Sequence, residues 1–155
     1  MFQKFAAVAV IAACLATPAV AQDYNADPIY ETVYLEGGFP DDPYVVYLSS
    51  GGVNDASATI GGSCRGFIAT SPDVRLNFQP GSLPLIISVD SRADTTLVVN
   101  APDGNWYCSD DDGEGLNPSI RFDRPMNGRY EIWVGTYGGE GLNDAALNIS
   151  ELYSQ

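Results

Sequence analysis

Beyond residue 21 the chain carries no helical periodicity, only short alternating segments punctuated by turn signals. Segments 29–36, 44–48, 74–78, 85–89, 95–99, 105–108, 119–123, 129–136 and 145–150 read as strands. Ile120 and Phe122 alternate with Arg121 and Asp123. Tyr130, Ile132 and Val134 alternate with Glu131, Trp133 and Gly135. Gly37-Gly38, Asp41-Asp42-Pro43, Gly51-Gly52, Gly61-Gly62, Pro80-Gly81, Asp103-Gly104, Asn127-Gly128 and Gly138-Gly139 break the runs. Short strands with regular turns make an all-β sandwich or a small barrel. Asn-Gly between two alternating runs predicts a hairpin at Asn127-Gly128.

The first residues have a different character. One lysine, Lys4, precedes an apolar run over 5–15, and Ala19-Val20-Ala21 forms a small-residue cleavage site, so 1–21 read as a signal peptide. The run is too short to span a bilayer, and no later segment could. Ile11-Ala12-Ala13-Cys14 offers a lipoprotein alternative, but with too short an apolar region before Cys14; cleavage after Ala21 is preferred. The product, periplasmic or secreted, is one domain: a loose lead over 22–28, then a sandwich over 29–155. It has no lysine, and its six arginines face twenty carboxylates, a net charge of −14. That balance argues against nucleic acid and anionic membrane surfaces as partners. In an exported chain, the two remaining cysteines, Cys64 and Cys108, read as a disulfide, worth about 4 kcal/mol by loop closure.

The segment 102–118 is the richest in chemistry. The Asp103-Gly104 turn leads into Trp106, Tyr107 and Cys108, and then into a glycine-broken loop with Asp110, Asp111, Asp112 and Glu114. Like charges packed this closely need water or a cation to screen them. The loop is either solvated surface or a site for a hard metal, calcium being the candidate cofactor, with Asp103, Asp110, Asp112, Glu114 and Asn117 as candidate ligands. It is not an EF-hand: with Gly113 at the invariant glycine, Cys108 takes the first position and Ser119 the twelfth, where a bidentate Glu is required. Gly-Glu-Gly-Leu-Asn occurs at 113–117 and again at 139–143, each copy after a strand containing Trp. Two such loops could converge on one site, or the echo is coincidence in a glycine-rich chain. Trp133 alternates against the apolar face of its strand; it either marks an outward binding surface or covers the edge of the disulfide-bearing strand.

Residues 93–152 resemble the bacterial pre-peptidase C-terminal domain in the order and spacing of Asp94-Thr95-Thr96-Leu97, Pro102-Asp103-Gly104, Asp110-Asp111-Asp112, Ile120-Arg121-Phe122, the run from Gly128 through Tyr130, Ile132 and Trp133 to Gly135, and a last strand over 146–150. The resemblance implies a jelly-roll-like sandwich that is not itself catalytic, with Asp94, Asp103 and the Asp110, Asp111 and Asp112 loop as an acidic edge that in some members binds calcium. The chain departs from that pattern in carrying no protease domain and in having an N-terminal extension with its own strands and Cys64.

Elimination narrows the chemistry. The chain has no histidine, so neither a Ser-His-Asp nor a Cys-His arrangement can be built, and the lack of lysine beyond Lys4 removes a Ser-Lys dyad. Zinc sites fail on the same residues. The expectation is an exported non-catalytic binding or structural module, calcium-stabilised, with an unidentified protein or glycan partner. The alternatives are an acidic periplasmic protein whose task is the metal ion itself, and a carboxylate-based hydrolase or hydrolase accessory.

Overall fold

The structure, a computed structural model, describes residues 22–155; the leader and Cys14 readings fall on 1–21 and lie outside them. Every expected strand forms. The strands are β1 (Glu31–Glu36), β2 (Tyr44–Ser50), β3 (Asn54–Asp55), β4 (Phe67–Ile68), β5 (Val74–Gln79), β6 (Leu85–Ser91), β7 (Thr95–Asn100), β8 (Trp106–Ser109), β9 (Ser119–Phe122), β10 (Gly128–Thr136) and β11 (Asn143–Ser150), with one helical turn, α1 (Ala56–Thr59). They make two sheets facing each other. In the first, β10 lies between β5 and β7, with β1 beyond β5, β8 beyond β7, and β4 and β3 at the far end of β10; the second runs β2-β11-β6-β9. All pairings are antiparallel except β1 with β5.

Alternation decides what lies between the sheets. Val33, Leu76, Leu97, Val99, Tyr130, Ile132 and Val134 point inward from the first sheet, and Val46, Leu48, Leu85, Ile87, Val89, Leu147 and Ile149 from the second. Phe122 joins them by meeting Tyr130 edge-on, ring centroids 5.3 Å apart. The buried Tyr130 hydroxyl donates to the Met126 carbonyl at 3.0 Å and accepts from the Met126 N–H at 2.8 Å.

Three sequence expectations need correction. Asn127-Gly128 does not close a hairpin. β9 pairs with β6 in one sheet, and β10 with β5 and β7 in the other. The two alternating runs have apolar faces that stack across the core instead of edges that pair, and Gly128, at φ 139°, turns the chain between sheets. Trp133 does face away from the sandwich core, but it is 0% exposed and is no binding surface. Residues 52–70 fold back over that face, where Trp133, Ala56, Ile68, Val98 and Cys64 make a second, smaller core and Trp106 stacks on Trp133 at 5.4 Å. The Cys64–Cys108 disulfide forms as expected, Cα atoms 5.0 Å apart, and pins this flap to β8. The lead is not loose either. The Asp23 N–H bonds the Thr70 carbonyl, the Gln22 amide donates to the Ala69 carbonyl, and Arg75 donates to the Ala26 carbonyl at 2.7 Å. Arg75 and Arg129 both hold Glu131, itself 1% exposed, at 2.6 and 2.9 Å.

Asp73 closes the gap beside β10 just before β5 begins. Its carboxylate accepts the Val134 N–H at 2.7 Å while its own N–H donates to the Ile132 carbonyl. Burial pushes this carboxyl from 3.8 up to about 7, the Val134 N–H pulling it partly back. Between those values the folded chain keeps a proton that the unfolded chain releases, so stability falls as pH rises through the window.

Reduction of the disulfide, or Cys64→Ala with Cys108→Ala, is expected to cost about 3–4 kcal/mol of unfolding free energy in urea, with the far-UV strand signal retained. Wild-type protein is expected to melt lower at about pH 8 than at about pH 5, Asp73 contributing on the order of 3 kcal/mol to the difference. Asp73→Asn, which keeps an acceptor for Val134, flattens that pH dependence; an unchanged slope in thermal melts would refute the assignment.

Candidate functional site

The register of the β7–β8 hairpin builds the acidic end of the sandwich. Gly104 closes the turn by donating to the Ala101 carbonyl at 2.8 Å, and Leu97 lies opposite Ser109. Pairing stops there, and the loop that follows Ser109 lies beside Asp94, the residue just before β7. Oxygen atoms of Asp94, Asp110 and Asp111 lie within 4.8 Å of one another. The Oδ1 atoms of Asp94 and Asp110 are buried with no hydrogen-bond partner. Burial raises both carboxyls above the ordinary range, and the Asp111 charge raises them further; Arg65 partly offsets this at Asp110.

Loops from three directions meet around this cluster. Asn117 is the fastening: its amide oxygen accepts from the Ser91 N–H at 3.2 Å and the Thr95 hydroxyl at 3.3 Å, and its amide nitrogen donates to the Ser91 carbonyl at 3.2 Å. Thr95 N–H donates to the Leu116 carbonyl, and Tyr137 N–H to the Asp94 carbonyl. The two Gly-Glu-Gly-Leu-Asn copies thus flank one turn, residues 91–94. Gly113 cannot carry a side chain, since a Cβ there would stand 2.5 Å from the Gln155 carbonyl oxygen.

Of the five ligand candidates read from the sequence, only Asp110 lies in the cluster. Asp112 accepts the Ser109 hydroxyl at 2.9 Å, and that hydroxyl accepts the Ser119 N–H at 3.0 Å. Glu114 is exposed and contributes its backbone N–H to the Gln155 carbonyl. The side-chain oxygen of Asn117 is spent on the 91–95 backbone and hydroxyl. Asp103 sits at the other end of β8, accepting from the Asn105 N–H at 2.9 Å and the Tyr107 hydroxyl at 2.9 Å, contacts that hold its carboxyl below the ordinary range. Asp94 and Asp111 join it in place of Asp103 and Asp112. Both belong to the acidic edge that the family resemblance implied, whereas the composition of the loop alone did not single them out.

No protein-family model and no curated protein matches the sequence. Among solved structures, the chain is similar to the pre-peptidase C-terminal domain of collagenase from Bacillus anthracis, with 16% identity over 81% of this chain and 100% of that one and a TM-score of 0.46. It is also similar to Aeromonas hydrophila PliG, a periplasmic lysozyme inhibitor of g-type lysozyme, with 12% identity over 77% and 97% of the two chains and a TM-score of 0.40. The first is a domain of the type that the motifs in 93–152 resemble.

If Asn117 fastens the loops and is not a metal ligand, Asn117→Ala lowers stability by about 1–3 kcal/mol even in chelator, because buried backbone groups lose their partner. A loss seen only when calcium is present would instead make Asn117 a ligand; thermal melts with and without chelator separate the two.

Proposed function

We propose that this chain is an exported, non-catalytic β-sandwich binding module whose acidic end is tightened by a calcium ion held at Asp94, Asp110 and Asp111. The observation that carries the cation is the placement of three carboxylates within 4.8 Å, two of them with a buried oxygen that no hydrogen bond satisfies. Calcium takes several oxygen ligands from flexible loops and would satisfy both orphaned atoms while cancelling the repulsion that raises these carboxyls. Backbone carbonyls and water complete such a shell in calcium sites of this kind.

The non-catalytic reading is supported by what the side chains are used for. The chain has no histidine to act as a base. The most deeply buried of the raised carboxyls, Asp73 and Glu131, are 1% exposed and committed to the Val134 N–H and to two arginines. A general acid must reach a substrate, and these do not. Export is supported by the disulfide, which persists in oxidising compartments.

The test is thermal unfolding of the disulfide-bonded protein after chelation, with and without millimolar calcium. A ligand specific to the folded state at a hundredfold excess over its Kd adds about 2.7 kcal/mol, a rise of several degrees for a domain this size. The rise is expected in wild type and lost in Asp94→Asn/Asp110→Asn, whose chelated form melts above chelated wild type because one source of repulsion is gone. No calcium shift at millimolar concentration would leave the cluster as solvated surface.

A further inference from the structure

The second sheet has an outer face that only part of the chain covers. Val46 and Leu48 point into the core, so Tyr47 points out, and register places Tyr47, Ala146 and Asp90 in one row across β2, β11 and β6. Further along this face the last residues lie over the sheet: Gln155 N–H donates to the Ser88 hydroxyl at 3.1 Å, and Ser154 to Ser119 at 2.7 Å. The other end is open. It forms a trough of about 870 Å³ with Tyr30 and Tyr47 on one side, Asp90 and Arg92 on the other, and Ala146 and Asp144 between them.

The walls are built, and their chemistry is mixed. Tyr47 is 81% exposed, and beside it Tyr30 gives the trough a second exposed ring among polar groups. Tyr30 is pinned: its hydroxyl accepts the Ser49 N–H at 2.9 Å and donates to the Ser49 carbonyl at 3.4 Å, so its ring is held along the edge of β2. Ala146 has almost no side chain, which leaves a step about 10 Å wide between the Tyr47 and Asp90 strands. The Ser91 hydroxyl, bonded to the Asp144 carbonyl at 2.8 Å and the Ala93 N–H at 3.1 Å, fixes the turn that carries Arg92. Among the described residues Arg92 forms no ion pair, though Asp90 and Asp144 share its rim.

We propose that this trough takes a neutral saccharide chain, with ring faces on Tyr47 and Tyr30 and hydroxyls on Asp90, Asp144 and Arg92. An apolar ligand would strip water from three charged groups and return nothing. An anion would meet two carboxylates on a strongly acidic chain. A sugar has apolar C–H faces for exposed rings, and hydroxyls that donate to carboxylates and accept from a guanidinium, so it replaces each water contact it displaces. The inference rests on the reading of the chain as a binding module; it does not need the cation.

Protein produced from the full sequence is titrated calorimetrically with cellohexaose and with chitohexaose. Saturable binding of at least one is expected, weakened roughly tenfold by Tyr47→Ala, the equivalent of about 1.4 kcal/mol for a lost aromatic contact. Because Tyr47 is so exposed, that variant melts with wild type, which separates lost binding from lost folding. Asp90→Asn is expected to weaken binding several-fold. No binding of either hexasaccharide at millimolar concentration, or binding indifferent to Tyr47→Ala, overturns the inference. So does an oligo-arginine peptide that binds where the saccharides do not and is released by salt, which would make the trough an electrostatic peptide site. The hexasaccharide is expected back intact. Its cleavage would overturn the non-catalytic reading, whereas absent binding overturns the saccharide assignment alone.

Discussion

β10 is the strand on which everything else hangs, because both its faces must be dry. Tyr130, Ile132 and Val134 fill the space between the sheets, while Glu131 and Trp133 project from the opposite side and are no less buried. A lone sandwich would leave that second side wet, stranding an indole and a carboxylate. The chain covers it with two pieces that belong to neither sheet. The 52–70 flap, held by the disulfide, lies over Trp133. The 22–28 lead is drawn in by Arg75 and Arg129, whose charges also accompany Glu131 out of water. Two arginines offset part of the cost of burying one carboxylate, and even so burial leads the balance at Glu131 and raises its carboxyl. Asp73 completes the cover by standing in for a strand carbonyl just ahead of the first residue of β5.

The acidic end follows from a different constraint, hairpin register. The three-residue turn Pro102-Asp103-Gly104 fixes which residue of β8 faces which residue of β7, and the pairing of Val98 with Cys108 places the disulfide beside Trp133. The loop that leaves β8 at Ser109 brings Asp110 and Asp111 to Asp94. One hairpin thus carries both the fastening of the flap and the gathering of carboxylates. It also separates Asp103 from that gathering, since the strand between them must run its length.

Strands were legible in the sequence because alternation is a local signal, and here each apolar face meets a core. Which strands pair was legible only where a tight turn joined them. Asp103-Gly104 and Asn127-Gly128 look alike as dipeptides. The first joins strands that share an edge, and the second joins strands that share a core, and nothing within four residues of either distinguishes them. Trp133 shows the same limit. Its direction was readable from period two, but its burial depends on a flap some seventy residues away that carries little periodicity of its own. For the acidic loop, residue type pointed to the right segment, while ligand choice needed three-dimensional facts: Asn117 looks like a ligand until its amide is seen bonded to Ser91, and Asp94 was indicated by the family resemblance and not by the composition of the loop.

The two proposed sites share one element. The turn 91–94 carries Arg92 to the rim of the trough and Asp94 to the carboxylate cluster, and Asn117 clamps its first residue from the loop that also supplies Asp110. A turn of four residues bonded at both ends has little freedom to satisfy one site without setting the other. On the readings proposed above, a cation that holds Asp94 removes motion from Arg92, so a saccharide meets a wall already ordered and loses less entropy on binding. Linkage makes the effect mutual: whatever the ion adds to saccharide affinity, the saccharide adds to the ion's. The physical origin of such coupling would be a few backbone bonds at Ser91 and Asp94, with no rearrangement of either sheet.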